Sequence, residues 1–149
     1  MQLPLLTRDL AFRVETAEAA CLKAKLLALM EDDGDAHDVV TARLGRTILL
    51  SVQSRRHNPS YNRVMCFTQE DEGHLDGILQ WVRDKDVRFW FDVVPALVNA
   101  APGAGEGSVL HRLAAAGLIP TCFMNVVYTV PLEPKHPSSP DLIVEEIDL

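Results

Sequence analysis

Cysteine is scarce in this chain of 149 residues: Cys21, Cys66 and Cys122 stand far apart, with no CxxC pair and no His/Cys cluster beside them. An odd, scattered set of thiols supports neither a disulfide framework nor a metal site. It leaves them the role of reduced, mostly buried small hydrophobes. Cations are in the minority as well. Fourteen Lys and Arg against 21 Asp and Glu give a net charge of −7, which argues against a nucleic-acid binder with Lys and Arg massed on one face. A local basic pocket stays open, because cations can gather at one place in an acidic protein. Nowhere does an apolar run approach the roughly 18 residues of a membrane helix, so no membrane span is expected. The opening MQLPLLTRDLAF has no basic stretch leading into a long apolar one. No secretory signal is visible there, and a cytoplasmic location is expected. Neither a G-x-S-x-G elbow nor a Walker loop occurs.

What is present is an ordinary globular balance of 48% hydrophobic and 23% charged residues, in a length that buries about 70% of its extended surface in one core. Residues 18–30, EAACLKAKLLALM, are rich in helix formers, with Leu22, Leu26 and Leu29 on one face and Thr16 placed as N-cap. Asp33-Gly34-Asp35 should end that helix, and residues 37–46 are ambiguous, with room for a short second helix. TILLSVQ (47–53) and YNRVMCFT (61–68) read as strands of a hairpin joined by the polar loop SRRHNPS. Glu70, Asp71 and Glu72 then lead into the clearest helix, residues 71–84. Its apolar stripe is Leu75, Ile78, Leu79 and Val82, with Trp81 at the margin.

VRFWFDVVP (87–95) follows as a strand, with Phe89, Phe91 and Val93 facing one way and Arg88, Trp90 and Asp92 the other. The apolar Trp90 argues for a central strand covered on both faces. After the Gly/Ala/Pro-rich NAAPGAGEGS, residues 108–116 form a short helix that buries Val109, Leu110 and Leu113 and ends at Gly117. A last strand, CFMNVVYTV (122–130), completes the alternation. The pattern predicts an α/β chain of the α+β kind, a mixed sheet flanked by helices, as one domain over residues 1–132. Residues 133–149 begin as a linker in a stretch holding Pro131, Pro134, Pro137 and Pro140, and end in the strand-like run 142–147. That run returns to the sheet, pairs with a partner, or starts a second domain.

Four stretches carry a resemblance: YNRVMCF, HLDGILQWVRDKDV, RFWFDVVP and LHRLAAAGLIPTCFMNVVYTV. Over residues 45–132, and more loosely over the first helix, the chain resembles the N-terminal half of bacterial tandem proteins of the Gcn5-related N-acetyltransferase superfamily (GNAT). The resemblance implies the GNAT acyl-CoA N-acyltransferase fold, and transfer of an acyl group from acetyl-CoA or another acyl-CoA to a small amine. It implies a cofactor held where the superfamily's fourth and fifth strands splay, here residues 62–67 and 88–94. Phe67, Thr68, Gln69 and Gly73 would then hold the cofactor, its pyrophosphate on main-chain N–H groups. IVEEIDL (143–149) would lead into a second domain.

Within that frame, Thr68-Gln69-Glu70-Asp71-Glu72-Gly73-His74 departs from the superfamily's Gln/Arg-x-x-Gly-x-Gly pattern. Three carboxylates stand where a pyrophosphate would lie, and like charge in a partly desolvated loop opposes it. The competing reading is a cofactor-free, degenerate domain that acts as a scaffold, forms a homodimer, or binds a ligand or a partner protein domain.

Acyl transfer needs a path for the amine proton and a donor for the departing thiolate. Glu70 is a candidate base, and equally an ordinary carboxylate at a helix start. His111 is a candidate proton donor, and equally a surface histidine on its helix. Tyr128, on the last strand, is a third candidate, its plain role being core packing with the hydroxyl at an edge. Asp92 shares a strand face with Trp90 and must meet donors or solvent, which suits either a ligand or a structural partner. Asn62 and Asn125 suit the tying of strand ends. Arg55, Arg56 and His57 form one compact basic cluster, either a solvated loop or a seat for an anion.

Overall fold

Leu75, Ile78, Leu79 and Val82 recur at helical spacing and are all buried on one face of the helix Leu75–Lys85, α2. Such a stripe needs a surface to lie on, and here it is a sheet. The computed structural model describes residues 7–98 and 107–121. In order these form α1 (Arg8–Asp33), β1 (Val39–Leu44), β2 (Thr47–Val52), β3 (Arg63–Met65), α2, β4 (Trp90–Phe91) and α3 (Val109–Ala115). Short 3-10 turns occupy Gly34–His37, Gln53–Arg55 and Gln69–His74. The strands make one mixed sheet in the order β1-β2-β3-β4. Its first two pairings are antiparallel, and β3 and β4 are parallel. Parallel neighbours need a crossover rather than a tight turn, and α2 provides it.

Two buried clusters divide by sheet face. Leu49 and Val64 pack with the α2 stripe and with Val109 and Leu113 of α3. Leu50, Val52 and Met65 pack with Ala19 and Leu26 of α1. Because successive strand residues point to opposite faces, α2 and α3 cover one side of the sheet and most of α1 covers the other. Cys66 breaks that alternation. With φ at +60° it stays beside Met65 in the α1 cluster, and Phe67 turns to the α2 side.

The ends of α3 follow from its sequence. Ser108 Oγ accepts from the His111 N–H at 3.2 Å, a side-chain N-cap. Gly117, at φ +88°, lets its own N–H and that of Leu118 return to the carbonyls of Ala114 and Leu113 at 2.9 and 3.0 Å, a Schellman closure.

Elsewhere the local expectations change. Helix α1 begins at Arg8, where Thr7 Oγ1 accepts from the Leu10 N–H at 3.1 Å. Thr16 is no N-cap: it lies inside the helix and its hydroxyl donates to Phe12 O at 2.7 Å. The buried side of α1 is Ala11, Glu15, Ala19 and Leu26, and Leu29 is exposed. Residues 39–44 pair as a strand instead of forming a helix, because they lie alongside β2 in full register. The strand expected at 87–95 narrows to Trp90–Phe91 and sits at the sheet edge among the described residues. Leu110 is 47% exposed, on the outer side of α3. The expected strand at 122–130 with Cys122, Asn125 and Tyr128, the domain limit at 132 and the tail lie outside the described residues. No described helix is long and apolar enough to cross a membrane.

Leu49, fully buried between β2 and α2, sets a test of this layering. Leu49→Ala is expected to lower unfolding free energy by about 3 kcal/mol, and Leu29→Ala by no more than about 0.5 kcal/mol. Denaturant titration of the two variants measures both.

Candidate functional site

Where β3 leaves the sheet its main-chain N–H groups lose their ladder partners, and a buried N–H must find another acceptor. The Cys66 N–H donates to Glu15 Oε1, reaching in from α1, at 3.2 Å. The N–H and the hydroxyl of Thr68 both donate to Asp71 Oδ2, at 3.1 and 2.9 Å. The Arg46 N–H, in the turn between β1 and β2, donates to Asp71 Oδ1 at 2.9 Å. The Gln69 N–H donates to Leu97 O at 2.9 Å. Asp71 is only 2% exposed. The loop assigned to a pyrophosphate by resemblance thus already holds an anionic group, and that group is the chain's own carboxylate.

Gly45 allows the carboxylate to sit there. Its φ is +62°, and a Cβ at that position would lie 2.2 Å from Asp71 Oδ1. The space between the diverging strands is also occupied. β3 and β4 pair at Arg63–Trp90 and Val64–Phe91, and the Asp92 N–H reaches Val64 O at 2.9 Å. Beyond that point Phe67, 1% exposed, meets Phe91 edge to face at 5.2 Å, and both rings share a cluster with Leu97. Of the four residues assigned to the cofactor, Phe67 and Thr68 are buried, whereas Gln69 and Gly73 are exposed.

The candidate catalytic groups lie apart. Glu70 is exposed and forms two hydrogen bonds with Arg8, at 2.6 and 2.7 Å. Its own backbone N–H and the Arg8 guanidinium hold its carboxyl below the ordinary value, which makes it a weaker base. Asp92, whose side chain is 12% exposed, binds Arg63 through Nε at 2.9 Å and through the terminal nitrogen of the guanidinium. Arg63 reaches Glu18 on α1 at 3.0 Å and stands over the Trp90 ring, 5.9 Å from its centroid. Burial pushes the Asp92 carboxyl up, and the bonds from Arg63 draw it back only in part. This group ties β3, β4 and α1 together.

His111 is exposed on α3, and no hydrogen bond or ion pair joins Glu70, Asp92 and His111 to one another. Tyr128 falls outside the described residues. The Cys66 thiol is pushed up to about 11, chiefly by burial and then by nearby Glu15, so it is no nucleophile at neutral pH. Among the described residues no group of His, Cys, Asp and Glu is arranged to hold a metal ion. Asn62 ties strand ends as expected: Oδ1 accepts from the Val52 N–H at 2.8 Å, and Nδ2 donates to Arg55 O and Asn58 O at 3.0 and 2.9 Å.

Sequence reasoning passed over the parts played by Asp71 and Glu15. The Thr68-x-x-Asp71 spacing, a capping pattern, carries the signal for the first. A carboxylate midway between Ala11 and Ala19 on one helix face carries it for the second. Comparison with protein-family models, with curated proteins and with solved structures finds no match to this chain.

Two variants probe the loop. Asp71→Asn leaves a buried donor without its acceptor and is expected to cost about 2 kcal/mol. Gly45→Ala, which must displace a bonded carboxylate from a left-handed turn, should cost at least as much, about 2 kcal/mol or more. Urea unfolding measures both.

Glu15 generates a pH prediction. Burial, ahead of the opposing Cys66 N–H, raises its carboxyl above the ordinary 4.5. The folded chain therefore holds that proton more tightly than the unfolded chain does. This contribution to stability is complete below the unfolded value and is lost as pH climbs through the raised one. Glu15→Gln keeps an acceptor for Cys66 without the charge. It should melt at higher temperature than the parent at neutral pH, with the difference shrinking toward acid pH. A melting series across pH measures this.

Proposed function

We propose that this chain is an acetyltransferase-like domain that does not turn over an acyl donor and serves as a ligand-binding or scaffold module. The observation that carries the reading is the buried Asp71 carboxylate, which takes the Thr68 and Arg46 N–H groups in the loop where a pyrophosphate would need donors. Bringing a second anion beside it means setting like charges together at low dielectric, or breaking three hydrogen bonds to free the donors. The candidate proton-transfer groups add nothing to offset that cost: Glu70 is held by Arg8, Asp92 by Arg63, and His111 stands apart in solvent.

The transferase reading, acyl-CoA to a small amine, has one feature in its favour. β3, a loop, α2 and β4 form a parallel strand-helix-strand unit, the place where the resemblance sets an acyl donor.

Titration of the full chain with acetyl-CoA, followed by NMR at the backbone amides of residues 66–73, separates the two. The expected result is no movement of those amides up to about 1 mM, the top of the usual range for enzyme substrates, and no acylated product from a panel of small amines. Saturable shifts at Thr68 and Gln69, or turnover, would refute the proposal.

A further inference from the structure

At the opposite end of β3 and β4 the charge is reversed. The connection from β2 to β3 carries Arg56 and His57, the last turn of α2 carries Arg83, and the link from α2 to β4 carries Asp86, Arg88 and Phe89. These six residues line one cleft of about 550 Å³. That volume falls inside the roughly 300–1,000 Å³ of small-molecule sites. Arg55 lines an adjoining depression with Arg56 and His57. Arg56 and Arg83 are 27 positions apart in sequence, so only the fold brings these cations together.

The walls are braced. The Arg88 N–H donates to Arg56 O at 2.7 Å, the Gln53 side-chain amide donates to Lys85 O, and buried Asn62 bonds the carbonyls of Arg55 and Asn58. A basic cluster on a floppy hairpin would be solvated and diffuse, whereas this one is pinned at both ends.

The cations are also available. Neither Arg83 nor Arg88 forms a side-chain hydrogen bond or ion pair with any described residue, and Arg56 uses only its Nε, toward His57 Nε2 at 3.2 Å. Arg8, Arg63 and Arg112, by contrast, each meet a carboxylate. Asp86 and the carbonyl end of α2 oppose an anion here. Three guanidinium charges against one carboxylate and about half a charge from the helix end still leave the cleft positive by about 1.5 charges. Phe89 adds an apolar wall.

We propose that this cleft binds a small phosphate monoester carrying an aromatic or apolar group, with the phosphate on Arg56, Arg83 and Arg88 and the apolar part on Phe89. Guanidinium forks match phosphate oxygens in both charge and geometry. The site is independent of the loop at residues 66–74 and of whether that loop binds acyl-CoA.

The test is titration of the full chain with phenyl phosphate and, separately, with inorganic phosphate, followed by NMR at the amides of Arg56, Arg88 and Phe89. Phenyl phosphate should saturate these shifts and bind more tightly than inorganic phosphate. Arg56→Gln, Arg83→Gln and Arg88→Gln should each weaken it about tenfold, the loss of one charge-assisted contact. Arg13→Gln, on α1 and away from the cleft, should leave it unchanged. Absence of saturation by about 10 mM, tenfold weaker than binding at about 1 mM, would overturn the proposal. So would binding that survives the combined loss of Arg56 and Arg88, or that Arg13→Gln weakens equally.

Discussion

A main-chain N–H that leaves a β-ladder inside a core must be given an acceptor, and the exit from β3 is governed by that requirement. Three acceptors meet it from three directions: Glu15 from α1, Asp71 from the following turn, and Leu97 O from beyond β4. Desolvating two carboxylates is costly on its own, and hydrogen bonds from N–H and O–H groups are what offset it. The same bonds join elements that are distant in sequence. Asp71 also receives the Arg46 N–H and so fixes the β1–β2 turn against the start of α2. That contact is close enough that Gly45 has no room for a side chain. Cys66 marks the exit, since its positive φ redirects the chain after it and its N–H is already off the ladder and bonded to Glu15.

Charge is sorted along the strands. The end of β3 that faces α2 is closed by carboxylates already bonded within the chain, and the other end presents the guanidinium groups of Arg56, Arg83 and Arg88, none of which meets a carboxylate among the described residues. Between them Arg63 and Asp92 meet in a nearly buried pair with Glu18. Such a pair gives little net stability relative to apolar packing, but it fixes β4 beside β3 and α1, because either charge alone would be stranded. The net charge of −7 opposes an anion at long range, so the attraction of the cleft is local, within about a Debye length of its guanidinium groups.

The mixed sheet and its parallel β3–β4 pair suit the α/β fold class. Fold and motif do not settle chemistry, because activity belongs to the arrangement of particular groups. In the loop after β3 that arrangement satisfies the chain itself. At the other end of the sheet, exposed guanidinium groups that meet no carboxylate among the described residues line a cleft.

Regular patterns were legible in the sequence. The α2 stripe was visible because four large apolar residues repeat at helical spacing. The ends of α3 were visible because Ser108 and Gly117 act through their own chemistry. β2 was visible as an apolar run too short for a helix. The start of α1 was not, because its buried face consists of Ala11, Glu15, Ala19 and Leu26, and two alanines with a glutamate make no hydrophobic stripe. Nor was β1, whose half-buried alternation becomes a strand only beside β2. For the site, the sequence could name Arg55, Arg56 and His57 as a cluster and flag the carboxylates at 70–72 as hostile to a phosphate. It could not show that Asp71 turns inward to be bonded, or that Arg83 and Arg88 complete the basic group. Local periodicity and capping depend on neighbours a few residues away and are written in the chain. The partner of a buried carboxylate, and the company a guanidinium keeps, depend on residues brought near only by the closing of the sheet.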